Sequence, residues 1–334
     1  MSERLEDIAA RMTAEGKGIL AADESTGTIK KRLDTIGVES TEETRRDYRE
    51  MLFRADEAMR NYISGVILYD ETLRQKARDG TPLVELIARA GAVPGIKVDK
   101  GAQPLAGFPG EKITEGLDGL RGRLAEYYEL GARFAKWRAV IDISDTLPTW
   151  TAVKQNAQAL ARYAALCQEA GIVPIVEPEV LMDGDHTLRR CAEVTARVHA
   201  AVMAELAAFG VDMAGVVLKP NMVVEGADHP HRATPEEVAE ATVDVLRALP
   251  GDLAGVAFLS GGQDPARATA NLAAMQLHHT PWPLTFSFGR ALVDPALTAW
   301  AASGRSTVAG QEALADRVAA NSAAVRTREL QATA

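Results

Sequence analysis

Cysteine is scarce: Cys167 and Cys191 are the only two in 334 residues. Both stand in apolar helix-like stretches, ARYAALCQEA and TLRRCAEV, so reduced helix cysteines are expected and a disulfide framework is not. Long apolar runs are lacking too; none reaches the roughly 18 residues that a spanning helix needs. The opening MSERLEDIAARMTAEGKG mixes charges at helical spacing, without an apolar stretch or a small-residue cleavage site. A soluble, cytoplasmic protein is expected. Positive charge is in deficit, with 37 Lys and Arg against 46 Asp and Glu. That argues against nucleic acid as the main partner, because phosphate backbones demand clustered basic residues. A small phosphorylated substrate fits, since a pocket can be positive on an acidic molecule.

Histidine also fails to cluster usefully. None of the six (His186, His199, His229, His231, His278 and His279) falls at the end of a predicted strand. No ligand set with sensible spacing emerges, so no metal is expected. Neither a GxGxxG after a strand nor a GxxxxGK[ST] occurs, so no nucleotide cofactor is expected. The interior has no low-complexity segment and no linker rich in Gly, Pro or Ser.

What recurs is a short β-branched or apolar run ending in charge or glycine. There are eight: 18–23, 65–70, 94–99, 134–140, 173–179, 215–221, 255–262 and 284–290. Helix-like segments separate most of them. TEETRRDYREMLFRADEAMRNYI reads as one helix with Thr41 as its cap, and TPEEVAEATVDVLRAL starts on Thr234 with Pro235 at the first helical position. Strand and helix alternating eight times predicts a (β/α)8 TIM barrel of the α/β class, with an open doubly wound sheet as the alternative. The expected domain is single, 1–334, with an N-terminal helix and a short C-terminal helical tail.

In such a barrel, catalytic groups gather at the C-terminal ends of the strands. Ionisable residues concentrate there: Asp23 in the first, Lys97 in the third, Lys136 and Arg138 in the fourth, Glu177 and Glu179 in the fifth, Lys219 in the sixth and Arg290 in the eighth. Pairs two apart share a face of their strand. Structural ion pairing would explain any one pair; so many at one end point to a site. Two lysines and two glutamates on neighbouring strands suit imine chemistry. A lysine must lose its proton to attack a ketone, and a nearby cation with partial desolvation promotes that. Lys136 and Lys219 can each be that cation for the other, and Glu177 or Glu179 can move the proton that expels water. Lys97 is a third candidate, read more naturally as a phosphate ligand. Ser260-Gly261-Gly262 and Gly289-Arg290, after the last two strands, suit backbone N–H approach to a phosphate.

The motifs GKGILAADESTGTIKKRL, GIKVDKGAQPLAG, GARFAKWRAV, GIVPIVEPEVLMDGDH, LKPNMV, FLSGGQ and LTFSFGRAL, in this order from about 15 to 325, resemble the class I fructose-bisphosphate aldolases. The resemblance implies Lys219 as the Schiff-base lysine, Glu177 as the acid/base that dehydrates the carbinolamine, and Glu179 as its neighbour. It implies Lys136 and Arg138 as groups that position substrate and tune the lysine, and Asp23 as the group acting on the C4 hydroxyl. It assigns Ser260, Gly261, Gly289 and Arg290 to one phosphate, with Ser287 of the same strand among the substrate ligands, and Lys97, Ser25, Thr28 and Arg32 to the other. It further implies a cofactor-free enzyme, a sugar phosphate substrate and a homotetramer. Family members carry a C-terminal tyrosine that assists proton transfer at the enamine carbon. All six tyrosines here lie in the first half of the chain, so another group is expected to deliver that proton, or the step to be slower. The competing readings are an aldolase for another ketose phosphate and a non-catalytic sugar-phosphate-binding scaffold.

Overall fold

Side-chain parity organises the barrel. In the computed structural model, which describes residues 3–327, ten strands form. They are β1 (Gly18–Ala22), β2 (Ile63–Leu68), β3 (Val93–Lys97), β4 (Ala102–Pro104), β5 (Lys112–Thr114), β6 (Phe134–Ile141), β7 (Val173–Val180), β8 (Val217–Leu218), β9 (Gly255–Phe258) and β10 (Leu284–Phe288). Eight of them close a parallel barrel in the order β1-β10-β9-β8-β7-β6-β3-β2. Because β1 pairs with both β2 and β10, the open doubly wound alternative is excluded and the TIM barrel stands.

One parity of each strand faces helices and the other faces the barrel axis. Leu20, Ala135, Trp137, Val176 and Leu218 join the large core under the helices. Ile19, Ile67, Val93, Phe134, Val173, Ile175 and Val217 form a second core inside the barrel, together with Ile8, Ala9 and Met12 of the helix Leu5–Met12. That N-terminal helix therefore closes the bottom of the barrel. Continuing up the same parity, Phe134 leads to Lys136 and Arg138, Ile175 to Glu177 and Glu179, and Val217 to Lys219. The interior is apolar below and ionic above. Gly95 belongs to this packing: a Cβ there would lie 2.3 Å from the Phe134 ring, too close for any side chain.

Several boundaries differ from the sequence expectation. The segment read as one helix from Thr41 is two, Glu42–Phe53 and Asp56–Tyr62, interrupted at Arg54 and Ala55. Thr41 does cap the first, in a reciprocal box with Thr44, and Thr234 caps the helix Pro235–Leu246 with Glu237. The helix Thr26–Thr35 and the antiparallel β4–β5 hairpin were not foreseen. The sixth barrel strand pairs only at Val217 and Leu218, although Lys219 N still donates to the Val176 carbonyl at 2.8 Å. The tail helix is Thr307–Val325; residues 328–334, the end of the RTRELQATA stretch, lie outside the described residues. Among the described residues, no helix is long and apolar enough to cross a membrane.

Burial of a histidine makes stability pH-dependent. His199, in the helix Leu188–Ala208, is 3% exposed and neither ring nitrogen meets a partner among the described residues. Burial lowers its pKa from the ordinary 6.5 to about 4. Between these values the unfolded chain binds a proton that the folded chain refuses, so the neutral histidine's contribution is present above 6.5 and lost as pH falls. Acidification from pH 7 to pH 5 is expected to remove about 2 kcal/mol through this group. Urea denaturation at both values checks it: His199→Leu should lose correspondingly less stability on acidification than the parent.

Candidate active site

Of the sixteen site residues singled out in the sequence, all but Gly262 line one pocket of about 340 Å³ at the C-terminal mouth of the barrel. That size suits a sugar phosphate. Parity and register explain the convergence. Lys136 and Arg138 face inward on β6, and β7 runs beside it with Arg138 opposite Glu177. Lys219 follows β8 immediately, and Asp23 follows β1 across the barrel.

The charged centre is tightly coupled. Lys136 Nζ is 2.8 Å from Asp23 Oδ2 and 3.3 Å from Glu177 Oε2, the latter within ion-pair reach but not aligned as a hydrogen bond. Lys219 Nζ is 3.1 Å from Glu177 Oε1. Lys136, Glu177 and Lys219 are each 3–4% exposed. Burial works against the charge on Lys136, but Asp23, Glu177 and Asp99 outweigh it and raise its pKa. Lys136 therefore stays protonated. Burial likewise works against ionisation of Asp23, yet Lys136, Lys219 and Lys97 hold it well below the ordinary carboxylate range. Glu177 is also lowered, burial being overcome by Lys136, Lys219 and Arg138.

The expected symmetry between the two lysines is thus absent. Lys136 is clamped by two carboxylates, whereas Lys219, among the described residues, pairs only with Glu177, which it shares. The two glutamates separate as well. Glu179 pairs with Arg138, two residues nearer the rim, and does not join the lysine cluster. Lys97 is held by Asp99 at 2.7 Å. Asp99 and Glu24 also line the pocket and were missed. Asp99 organises the wall: its carboxylate accepts from Gly101 N and Arg138 N. The signal available was the DKG that follows the third strand; for Glu24 it was the carboxylate beside Asp23.

Two helix N-termini border the pocket. Ser25 caps Thr26–Thr35, its Oγ accepting from Thr28 N, and Gly289 precedes Arg290–Ala302. Each brings unpaired N–H groups and the positive end of a helix dipole. Ser287 on β10 adds a buried hydroxyl with no partner among the described residues. Gly262 has φ +91°, and a Cβ there would sit 3.0 Å from Arg290 Nη2, so glycine lets that guanidinium lie across the loop. Anion-binding groups thus occur on two sides of the lysine–glutamate cluster. Among the described residues, no group of three or more His, Cys, Asp or Glu side chains is placed to hold a metal ion.

Comparison with known proteins places the chain in a family. The family model for class-I fructose-bisphosphate aldolase matches residues 4–333. A probable fructose-bisphosphate aldolase class 1 of Xanthomonas campestris is 55% identical over 300 residues, covering 89% of this chain and 90% of its own length. Human fructose-bisphosphate aldolase C is 52% identical over 327 residues, 97% of this chain and 90% of its own. The crystal structure of the Plasmodium falciparum fructose-bisphosphate aldolase, in a ternary complex with TRAP and a small-molecule inhibitor, superposes with a TM-score of 0.93 at 45% identity. That match covers 97% of this chain and 94% of the other. Matched along nearly its whole length and more than half identical to such relatives, the chain belongs to the class-I fructose-bisphosphate aldolases.

Proposed function

We propose that this lyase carries out the reversible cleavage of fructose 1,6-bisphosphate, to dihydroxyacetone phosphate and glyceraldehyde 3-phosphate, through an imine on Lys219. The observation that supports this choice of lysine is the Lys219–Glu177 pair, 3.1 Å apart beside a Lys136 that two carboxylates keep charged. Glu177 takes the Lys219 proton as the amine attacks C2 of the ketose. It then returns that proton to the carbinolamine hydroxyl, which leaves as water. The resulting iminium is the electron sink. Asp23 removes the C4 hydroxyl proton, the C3–C4 bond breaks, and its electrons flow to the iminium to form the enamine. Lys136 stabilises both carboxylates and the oxyanions near them. Protonation of the enamine and hydrolysis of the imine release the second product.

Substrate direction follows from the same assignment. Asp23 acts at C4, so the groups that follow it on the same side, Ser25, Thr28 and Arg32 with Lys97, hold the C6 phosphate. Ser260, Gly261, Ser287, Gly289 and Arg290 hold the C1 phosphate. Glu179 keeps Arg138 aimed at the sugar. Family membership also supports a single barrel domain, a homotetramer and a cytoplasmic setting. Borohydride reduction in the presence of fructose 1,6-bisphosphate tests the central step: a stable adduct is expected on the peptide containing Lys219. Label on the peptide carrying Lys136 or Lys97 instead would overturn the assignment.

A further inference from the structure

Behind one wall of the pocket lies a charge that the reaction as described does not use. Arg49, in the helix Glu42–Phe53, is completely buried. Its Nη2 donates to the Glu24 carbonyl at 2.9 Å and to Glu24 Oε2 at 3.3 Å, while Nε and Nη1 meet no partner among the described residues. Glu24 Oε1 accepts from Arg32 Nη1 at 2.6 Å, and Arg32 reaches Asp294 at 3.5 Å. Glu24 and Arg32 line the pocket, so the order from substrate inward is Arg32, Glu24, Arg49. A buried guanidinium with unmade hydrogen bonds is costly, which sets this one apart from ordinary core packing.

The difficulty it answers is electrostatic. Arg32 between Glu24 and Asp294 is already neutralised, and a phosphate group would have to compete with Glu24, the nearer of the two, for it. Releasing Glu24 into a buried setting without a partner would cancel the gain. A second guanidinium already touching Glu24 removes that obstacle. We propose that Arg49 is a positioning residue for phosphate capture: it takes over Glu24 when the incoming C6 phosphate engages Arg32. The two unequal contacts, 2.6 Å to Arg32 and 3.3 Å to Arg49, are the arrangement before that exchange. The spare donors on Arg49 are the capacity it draws on.

This inference rests on Arg32 facing the C6 phosphate, and its test separates the two ideas. Arg49→Gln should raise KM for fructose 1,6-bisphosphate about 10-fold or more, the scale of one charge-assisted contact, with kcat little changed. With fructose 1-phosphate, which lacks the C6 phosphate, KM should stay within about 2-fold of wild type. Adding Glu24→Gln to Arg49→Gln removes the competing carboxylate and should recover most of the bisphosphate KM. Equal losses on both substrates, or no recovery in the double variant, overturn the proposal. If Arg49→Gln does not fold, Glu24→Gln alone decides: a bisphosphate KM at or below wild type supports the exchange, and a 10-fold rise sinks it. Borohydride trapping of each variant reports separately on the imine.

Discussion

Lys219→Met should lose about 10⁴-fold or more in kcat/KM for fructose 1,6-bisphosphate, with folding retained. Methionine keeps the unbranched apolar stem, so the packing above Val217 survives. What disappears is the amine that becomes the imine nitrogen, and no neighbouring group can replace it. Lys136 is protonated and held by Asp23 and Glu177. Lys97 is held by Asp99 at another part of the wall. Without the iminium there is no acceptor for the C3–C4 electrons, and the barrier returns towards that of an uncatalysed retro-aldol reaction. Losing Lys219 also leaves Glu177 with Lys136 as its close lysine partner, so substrate binding through the phosphates should persist. Steady-state kinetics, borohydride trapping and a denaturation curve on one preparation check this. Appreciable turnover with an adduct elsewhere in the protein would mean that the nucleophile has been misassigned.

Asp23→Asn should uncouple imine formation from bond cleavage. The carboxylate is the base for the C4 hydroxyl, and general-base removal of this kind contributes about 10²–10⁴-fold. Because Lys219 and Glu177 are untouched, the borohydride adduct should still form while triose phosphate release collapses. Lys136 would keep Glu177 as its remaining carboxylate at ion-pair distance, so it stays charged. The electrostatics add a pH expectation for the parent enzyme. Lys136, Lys219 and Lys97 overcome burial and hold the Asp23 pKa below the ordinary carboxylate value, so the base form persists through mildly acidic solution. Activity should therefore show no acid limb from Asp23 between pH 5 and pH 7. Rapid-quench measurement of adduct and product together tests the uncoupling; a parallel loss of both would place Asp23 in substrate binding or imine formation instead.

Much of this site can be read in the chain because strand geometry is local. Residues two apart share a face, so Lys136 with Arg138 and Glu177 with Glu179 had to project together. The eight runs, their spacing and the family motifs then specify the barrel and name most of the charged groups that line its mouth, though not Asp99 or Glu24. Helix caps at Thr41 and Thr234 are local too, and both form as read. The break at Arg54 and Ala55 is different, since helical periodicity continues across it and no proline or glycine marks the interruption. The β4–β5 hairpin was hidden because three-residue strands carry no measurable alternation.

By itself, then, the sequence determined the fold class, the face of each strand and the candidate residues, all properties of neighbours along the chain. Tertiary structure decided how those residues differ from one another. Asp23 stands just past the first barrel strand and Lys136 is on the fourth, yet barrel closure brings them to 2.8 Å and favours the charged form of Lys136. The same closure separates Glu177, shared by two lysines, from Glu179, occupied with Arg138, and sets Arg49 behind Glu24. Ion-pair energies depend on distances of a few ångströms between residues remote in sequence, and only the closed barrel supplies those distances.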